Sequence, residues 1–152
     1  MTKYFFSILL LFAGNFVLGQ SIYPFEEIKL NKPSDYKDAE PLALTAASFL
    51  LSTPFKEKDI NRTNATGFLQ KWIMGTKDYS FRSGVAQDLA DDHDLLDLFS
   101  AAMVKFCLEN KTLAANAKLI EISASKSVLT YCDDPINNFK LKKRQRKILA
   151  SD

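Results

Sequence analysis

Between Asp91 and Asn110, apolar residues return every three or four positions. Leu95, Phe99, Ala102, Met103 and Phe106 share one face, and Leu96 and Cys107 flank it. A face that broad must be covered from more than one side, so the segment is expected to be a central, buried helix. After the short link Asn110-Lys-Thr112, the residues Leu113, Ala117, Ile120, Ala124, Val128 and Tyr131 recur at helical spacing to about Cys132. Two long helices with so short a link fold back as an antiparallel hairpin. Valine and isoleucine are too few and too scattered for a sheet, and no repeat at solenoid spacing is visible. The expected fold class is all-α.

Other helices are marked by their ends. Pro41 after Glu40 opens one, because a proline at the first position forfeits no hydrogen bond and a carboxylate suits the positive helix end. Leu42, Ala43, Ala46, Phe49 and Leu50 share its inner face, and Thr53 before Pro54 stops it. Asp59 is placed to cap a second helix running to about Met74, with Ala65, Phe68, Leu69 and Trp72 inward and Gly75 as the stop. Thr76–Gly84 alternates polar and aromatic residues and reads as a loop. Pro135 breaks the last hairpin helix, and Phe139–Leu149 can form a basic terminal one. The expected architecture is a compact bundle of about five helices in a single domain over 40–152. Residues 20–39, with Pro24 and Pro33 among aromatics and charges, form an extended arm.

The first 19 residues read as a secretory signal peptide: Lys3 in the leading segment, the apolar run Phe5–Ala13, then Val17 and Gly19 before the expected cut at Gln20. The apolar run is too short to span a bilayer and no second one follows, so the expected location is secreted or periplasmic, with no transmembrane segment in the mature chain. The full chain has a formal net charge of +2, which hides an asymmetry. Residues 20–139 carry 13 basic and 17 acidic residues, whereas 140–152 carry 6 basic and one acidic.

Few residues suggest chemistry. Cys107 and Cys132 could form a disulfide in an exported protein. The hairpin, however, puts one near its turn and the other near its far end, roughly 25 Å apart, against the ~7 Å that a bridge tolerates. Free, packed thiols are therefore expected. The run Asp88, Asp91, Asp92, His93, Asp94, Asp97 lacks the glycine and alternation of a calcium loop, and a lone histidine is too little for zinc, so it reads as an acidic helix start. No metal and no cofactor are expected. His93 is the only imidazole, and no Gly-flanked serine, zinc-protease helix or phosphate loop accompanies it, which leaves no catalytic residue to name.

Two sets of residues could bind. Trp72, Tyr79 and Phe81 gather around a helix end and a loop; they either stack on a ligand or seal one end of the bundle. Lys140, Lys142, Lys143, Arg144, Arg146 and Lys147 could attract anionic lipid, lipopolysaccharide or an acidic protein, or simply form the solvated face of a packed terminal helix. Nucleic acid is not an expected partner for an exported chain. Asn61, Asn64 and Asn110 head glycosylation sequons that matter only in a eukaryotic host.

Phe49-Leu-Leu-Ser-Thr-Pro54, Phe68-Leu-Gln-Lys-Trp-Ile-Met-Gly-Thr76 with Tyr79-Ser-Phe81, and Leu95-Leu-Asp-Leu-Phe-Ser-Ala-Ala-Met-Val-Lys-Phe106 together resemble a group of exported helical proteins of Bacteroidetes-type bacteria. Tyr131-Cys132 followed by Pro135 and Asn137-Asn138 is similar as well. The resemblance covers about 40–143. It implies a bacterial source and an envelope address, and it transfers no activity and no site residues. The function expected on these grounds is a non-enzymatic module of the bacterial envelope that binds a protein, glycan or small ligand. A carboxylate-based hydrolase with a cleft near Trp72, and a periplasmic chaperone-like protein, are the rival readings.

Overall fold

A computed structural model describes residues 23–81 and 93–150. Within them the chain is all-α, with six helices and no strand. They are α1 (Pro33–Asp38), α2 (Glu40–Ser52), α3 (Ile60–Gly75), α4 (His93–Glu109), α5 (Ala117–Asp133) and α6 (Lys143–Leu149). Two 3-10 turns, Lys111–Leu113 and Pro135–Asn137, follow α4 and α5.

The helix α4 is the middle of the bundle, as its periodicity predicts. Leu95, Phe99, Ala102, Met103 and Cys107 pack with Ile120, Ala124, Val128 and Cys132 of α5. The opposite face of α4 is also buried: Ala101, Val104 and Leu108 join Ala43, Ala46, Ala47 and Leu50 of α2 and Ala65 and Leu69 of α3. Alanines at these crossings let the backbones approach closely, and the larger Trp72 and Phe99 fill the space on either side. Phe106, expected in the core, is only partly buried.

Local capping sets most boundaries. The Asp59 carboxylate accepts the amide of Asn61 at 2.8 Å and that of Arg62 at 3.4 Å, which starts α3 at the expected place. In α5 the cap is Asn116, which accepts the Leu119 amide at 3.1 Å. The helix therefore begins at Ala117 instead of Leu113. Leu113 falls in the 3-10 turn and is exposed, which corrects its place on the buried face. Asn138 takes a left-handed conformation (φ 56°), turning the chain away before α6, so the basic helix starts at Lys143 and not at Phe139.

The arm divides in two. Residues 23–32 are irregular, with Tyr23 and Phe25 packed on Phe49 and Phe68. Residues 33–38 wind into α1, where the reading of the sequence expected extended chain. Pro33 opens that turn, and Asp35 accepts the Asn31 and Lys32 amides at its front. Those two amides, with the Lys32 ammonium, hold the Asp35 carboxyl below the usual carboxylate range. The Tyr36 ring lies where a Gly75 side chain would be, so glycine at the end of α3 is required by packing. The Trp72 indole N–H donates to the Tyr36 carbonyl at 2.8 Å and fixes α1 to α3.

Candidate functional site

The aromatic set lies at one end of the bundle. Ring centroids are 5.8 Å apart for Trp72 and Tyr79, 5.9 Å for Trp72 and Phe81, and 6.0 Å for Tyr79 and Phe81. Trp72 has no exposed surface, so a ligand could stack on it only by displacing its neighbours. The Tyr79 hydroxyl donates to Glu40 Oε1 at 3.0 Å, and Lys111 Nζ reaches Glu40 Oε2 at 2.6 Å. Burial, then the Glu40 carboxylate, push the Tyr79 phenol up to about 12. This geometry closes the end of the bundle: Glu40 ties the start of α2 to the loop after α3 and to the turn between α4 and α5. Trp72 lines none of the three clefts described below.

The basic residues are brought to one surface. Lys140, Lys142, Lys143, Arg144, Arg146 and Lys147 are all exposed, while Leu141 and Phe139 pack against the α4–α5 core and Gln145 is buried. Gln145 turns inward because its Oε1 accepts the Lys142 amide at 2.7 Å, closing the first turn of α6. Arg146 pairs with Asp133 at the end of α5, at 3.2 Å. The helix is thus docked through its uncharged side and carries its cations outward.

A buried polar node was not foreseen. Arg62 is only 6 % exposed, between the rings of Phe55 (5.2 Å) and Tyr131 (5.9 Å). Its guanidinium donates to the Leu50 carbonyl at 3.1 Å, the Thr53 carbonyl at 3.3 Å and the Thr53 hydroxyl at 3.1 Å. The reason lies in Pro54. It forces Thr53 out of the helical region and brings no N–H, so the last carbonyls of α2 lack backbone donors. Arg62 supplies them. The Tyr131 hydroxyl also donates to the Thr53 carbonyl (2.8 Å), and buried Asn137 accepts the Phe55 amide (2.9 Å) and donates to the Tyr131 carbonyl (2.7 Å). A signal was available: Arg62, Ala65, Leu69 and Trp72 share the spacing of the buried stripe of α3.

The node separates two clefts. An open groove of about 520 Å³ runs between the end of α2 and the end of α5, past Ser52, Pro54, Ser127, Thr130 and Asp134. On the other side of Arg62, a cleft of about 310 Å³ lies between α3 and α4, floored by Leu50, Phe55 and Leu98 and edged by Thr63, Thr66, Gln70, Asp94 and Asp97. A third hollow, about 260 Å³, separates α1 from the end of α3.

Among the described residues no group of His, Cys, Asp or Glu is arranged to hold a metal ion. Asp88, Asp91 and Asp92 lie outside those residues, as does the side chain of His93. Cys107 and Cys132 are both buried and unbridged, and burial raises the Cys107 thiol to about 11. No described helix is long and apolar enough to cross a membrane. The large exposed apolar side chains, Ile60, Met74, Leu113, Ile122 and Ile136, sit on four different elements. Comparison with protein-family models, with curated proteins and with solved structures finds no match for this chain.

Proposed function

We propose that this protein is an exported, non-enzymatic helical module that holds to an anionic surface of the bacterial envelope through α6 and there binds a protein, glycan or small ligand. The observation that carries this reading is the division of residues 139–149, α6 and the segment leading into it, into a docked, uncharged side and an outer side bearing six cations. A terminal helix needs its inner side to be stable; it does not need all its charge to be of one sign. The acidic body beneath repels an anionic surface, so the molecule would orient with α6 toward it. The signal-like first 19 residues and the resemblance to exported bacterial proteins support the envelope address.

The test replaces charge while keeping the packing. Lys140, Lys143 and Lys147 would be changed together to Gln in the chain starting at Gln20, leaving Leu141, Gln145 and Ile148 in place. A basic residue near an anionic membrane contributes about 1 kcal/mol, so the triple variant should bind anionic phospholipid vesicles roughly a hundredfold more weakly. Its helicity and melting temperature should be nearly unchanged, and added salt should release the unaltered chain. Absence of vesicle binding by the unaltered chain at low salt, or equal binding by the variant, would refute the attachment.

A further inference from the structure

The aromatic end of the bundle is covered by chain that bonds mainly to itself. Within residues 23–38 the Glu27 amide donates to the Pro24 carbonyl at 3.2 Å, and Asp35 accepts the Asn31 and Lys32 amides. The Tyr36 hydroxyl donates to the Leu30 carbonyl at 3.1 Å, which joins the irregular stretch to α1 and makes the two one unit. Among the described residues no backbone–backbone hydrogen bond links that unit to α3, α4 or α5. The six residues of α1 are too few for a helix to persist alone, and none of them is buried.

Two side chains anchor the unit. Phe25 is buried and stacked on Phe68, with ring centroids 5.6 Å apart. Tyr36 lies against the end of α3, where a Cβ on Gly75 would collide with its ring, and its carbonyl accepts the Trp72 indole N–H. The fit belongs to that glycine: a Cβ on Gly67, which lines the α3–α4 cleft, would meet no atom within 4 Å. Between the anchors, Ile28 and Leu30 are only partly buried.

We infer that residues 23–38 are a strap, latched by Tyr36, that opens as one unit while the bundle beneath stays folded and so uncovers the face of Phe49, Phe68 and Trp72. The hinge is Ala39, the single residue between α1 and α2. Opening frees the backbone of all the residues in the strap, which offsets much of the burial lost at Phe25 and Tyr36. Unfolding the whole domain must also break the α4–α5 core, so the strap opens at lower cost. Trp72, closed off in the folded state, loses the Tyr36 carbonyl when the strap lifts, and its indole N–H then meets solvent.

The inference depends neither on attachment through α6 nor on any ligand. Trp72 is the one tryptophan of the chain, so its indole proton is a single reporter of strap opening. Hydrogen exchange in the chain starting at Gln20 would compare it with the Val104 and Cys107 amides of α4. Relative to intrinsic rates, the indole proton should exchange at least about a hundredfold faster than those amides, and urea below the unfolding transition should accelerate it far less. Val128→Ala, in the α4–α5 core, should speed the two amides at least about tenfold and change the indole rate by less than about twofold. Tyr36→Ala should speed the indole proton at least about tenfold; Tyr36→Phe, which keeps the ring and loses only the bond to Leu30, should speed it less. An indole proton as slow as the α4 amides, or one that follows them in Val128→Ala, overturns the opening. An indole rate unchanged by Tyr36→Ala overturns the latch.

Discussion

Replacing Arg62 with alanine tests how the bundle ends α2. The substitution removes three hydrogen bonds, at 3.1, 3.3 and 3.1 Å, and two ring contacts. These losses are unequal. The Thr53 carbonyl keeps the Tyr131 hydroxyl, whereas among the described residues no other donor reaches the Leu50 carbonyl, which is left beside a proline that has no N–H. An orphaned buried acceptor costs about 1–3 kcal/mol, and two partly desolvated cation–ring contacts add roughly 1–2 kcal/mol. The expected loss is therefore about 4 kcal/mol, roughly 10–15 °C in melting temperature for a domain of this size. Arg62→Lys should recover less than half, since one ammonium cannot reproduce the fork that reaches Leu50 and Thr53 together. Thermal and urea denaturation followed by circular dichroism would measure both. Pro54→Ala sharpens the test, because it restores an N–H and frees Thr53 to extend α2. In that background Arg62→Ala should cost at least about 1 kcal/mol less. A loss under about 1 kcal/mol from Arg62→Ala alone, or the same loss in both backgrounds, would refute the account of Arg62 as the donor that Pro54 withholds.

The two α3 glycines should respond in opposite directions: Gly75→Ala must move the Tyr36 ring and should destabilise by about 2 kcal/mol, whereas Gly67→Ala should stabilise by about 0.5–1 kcal/mol. Equal signs in paired melts would contradict the packing described. Cys107 and Cys132 should resist a thiol reagent in the folded protein and both react once it is unfolded without reductant; two unreactive cysteines in denaturant would mean a bridge. Alkali should weaken the fold through groups that fold with raised pKa values. Tyr79 goes from 10.0 to about 12 and Cys107 from 9.0 to about 11, so the native state keeps protons that the unfolded chain releases. Stability from these groups is intact below pH 9 and is lost as pH rises through about 11 and 12. Urea midpoints against pH for the unaltered chain and Tyr79→Phe should therefore converge between pH 10 and 12, and parallel curves would count against the shift at Tyr79.

Charge at the surface was as legible as the helices. The six cations of the tail stand out in the sequence, and the structure places them all outward. The inward packing of Leu141 was partly legible too, as an apolar residue among cations, although it lies before α6 and not on its face. The turn-in of Gln145 was not. It depends on a hydrogen bond to Lys142 that a helix beginning at Phe139 would not make.

By itself the sequence determined what is settled within a turn or two of chain. Proline at position 41, the carboxylate of Asp59 and the stripes on α2, α3 and α4 placed three helices nearly to the residue, because caps and apolar periodicity act between near neighbours. The centrality of α4 was also legible, since its inner residues are too many for one partner. Only the tertiary structure decided the rest. Arg62 and Asn137 are polar in sequence and buried in the fold because their partners lie six to 82 residues away, on other elements. The start of α5, by contrast, was set locally: Asn116 caps it by accepting the Leu119 amide three residues on, a signal that the apolar spacing from Leu113 passed over. The cleft over Gly67 exists only where α4 passes beside α3. A glycine announces the absence of a side chain, and only the packing around it determines whether that absence is filled or left open.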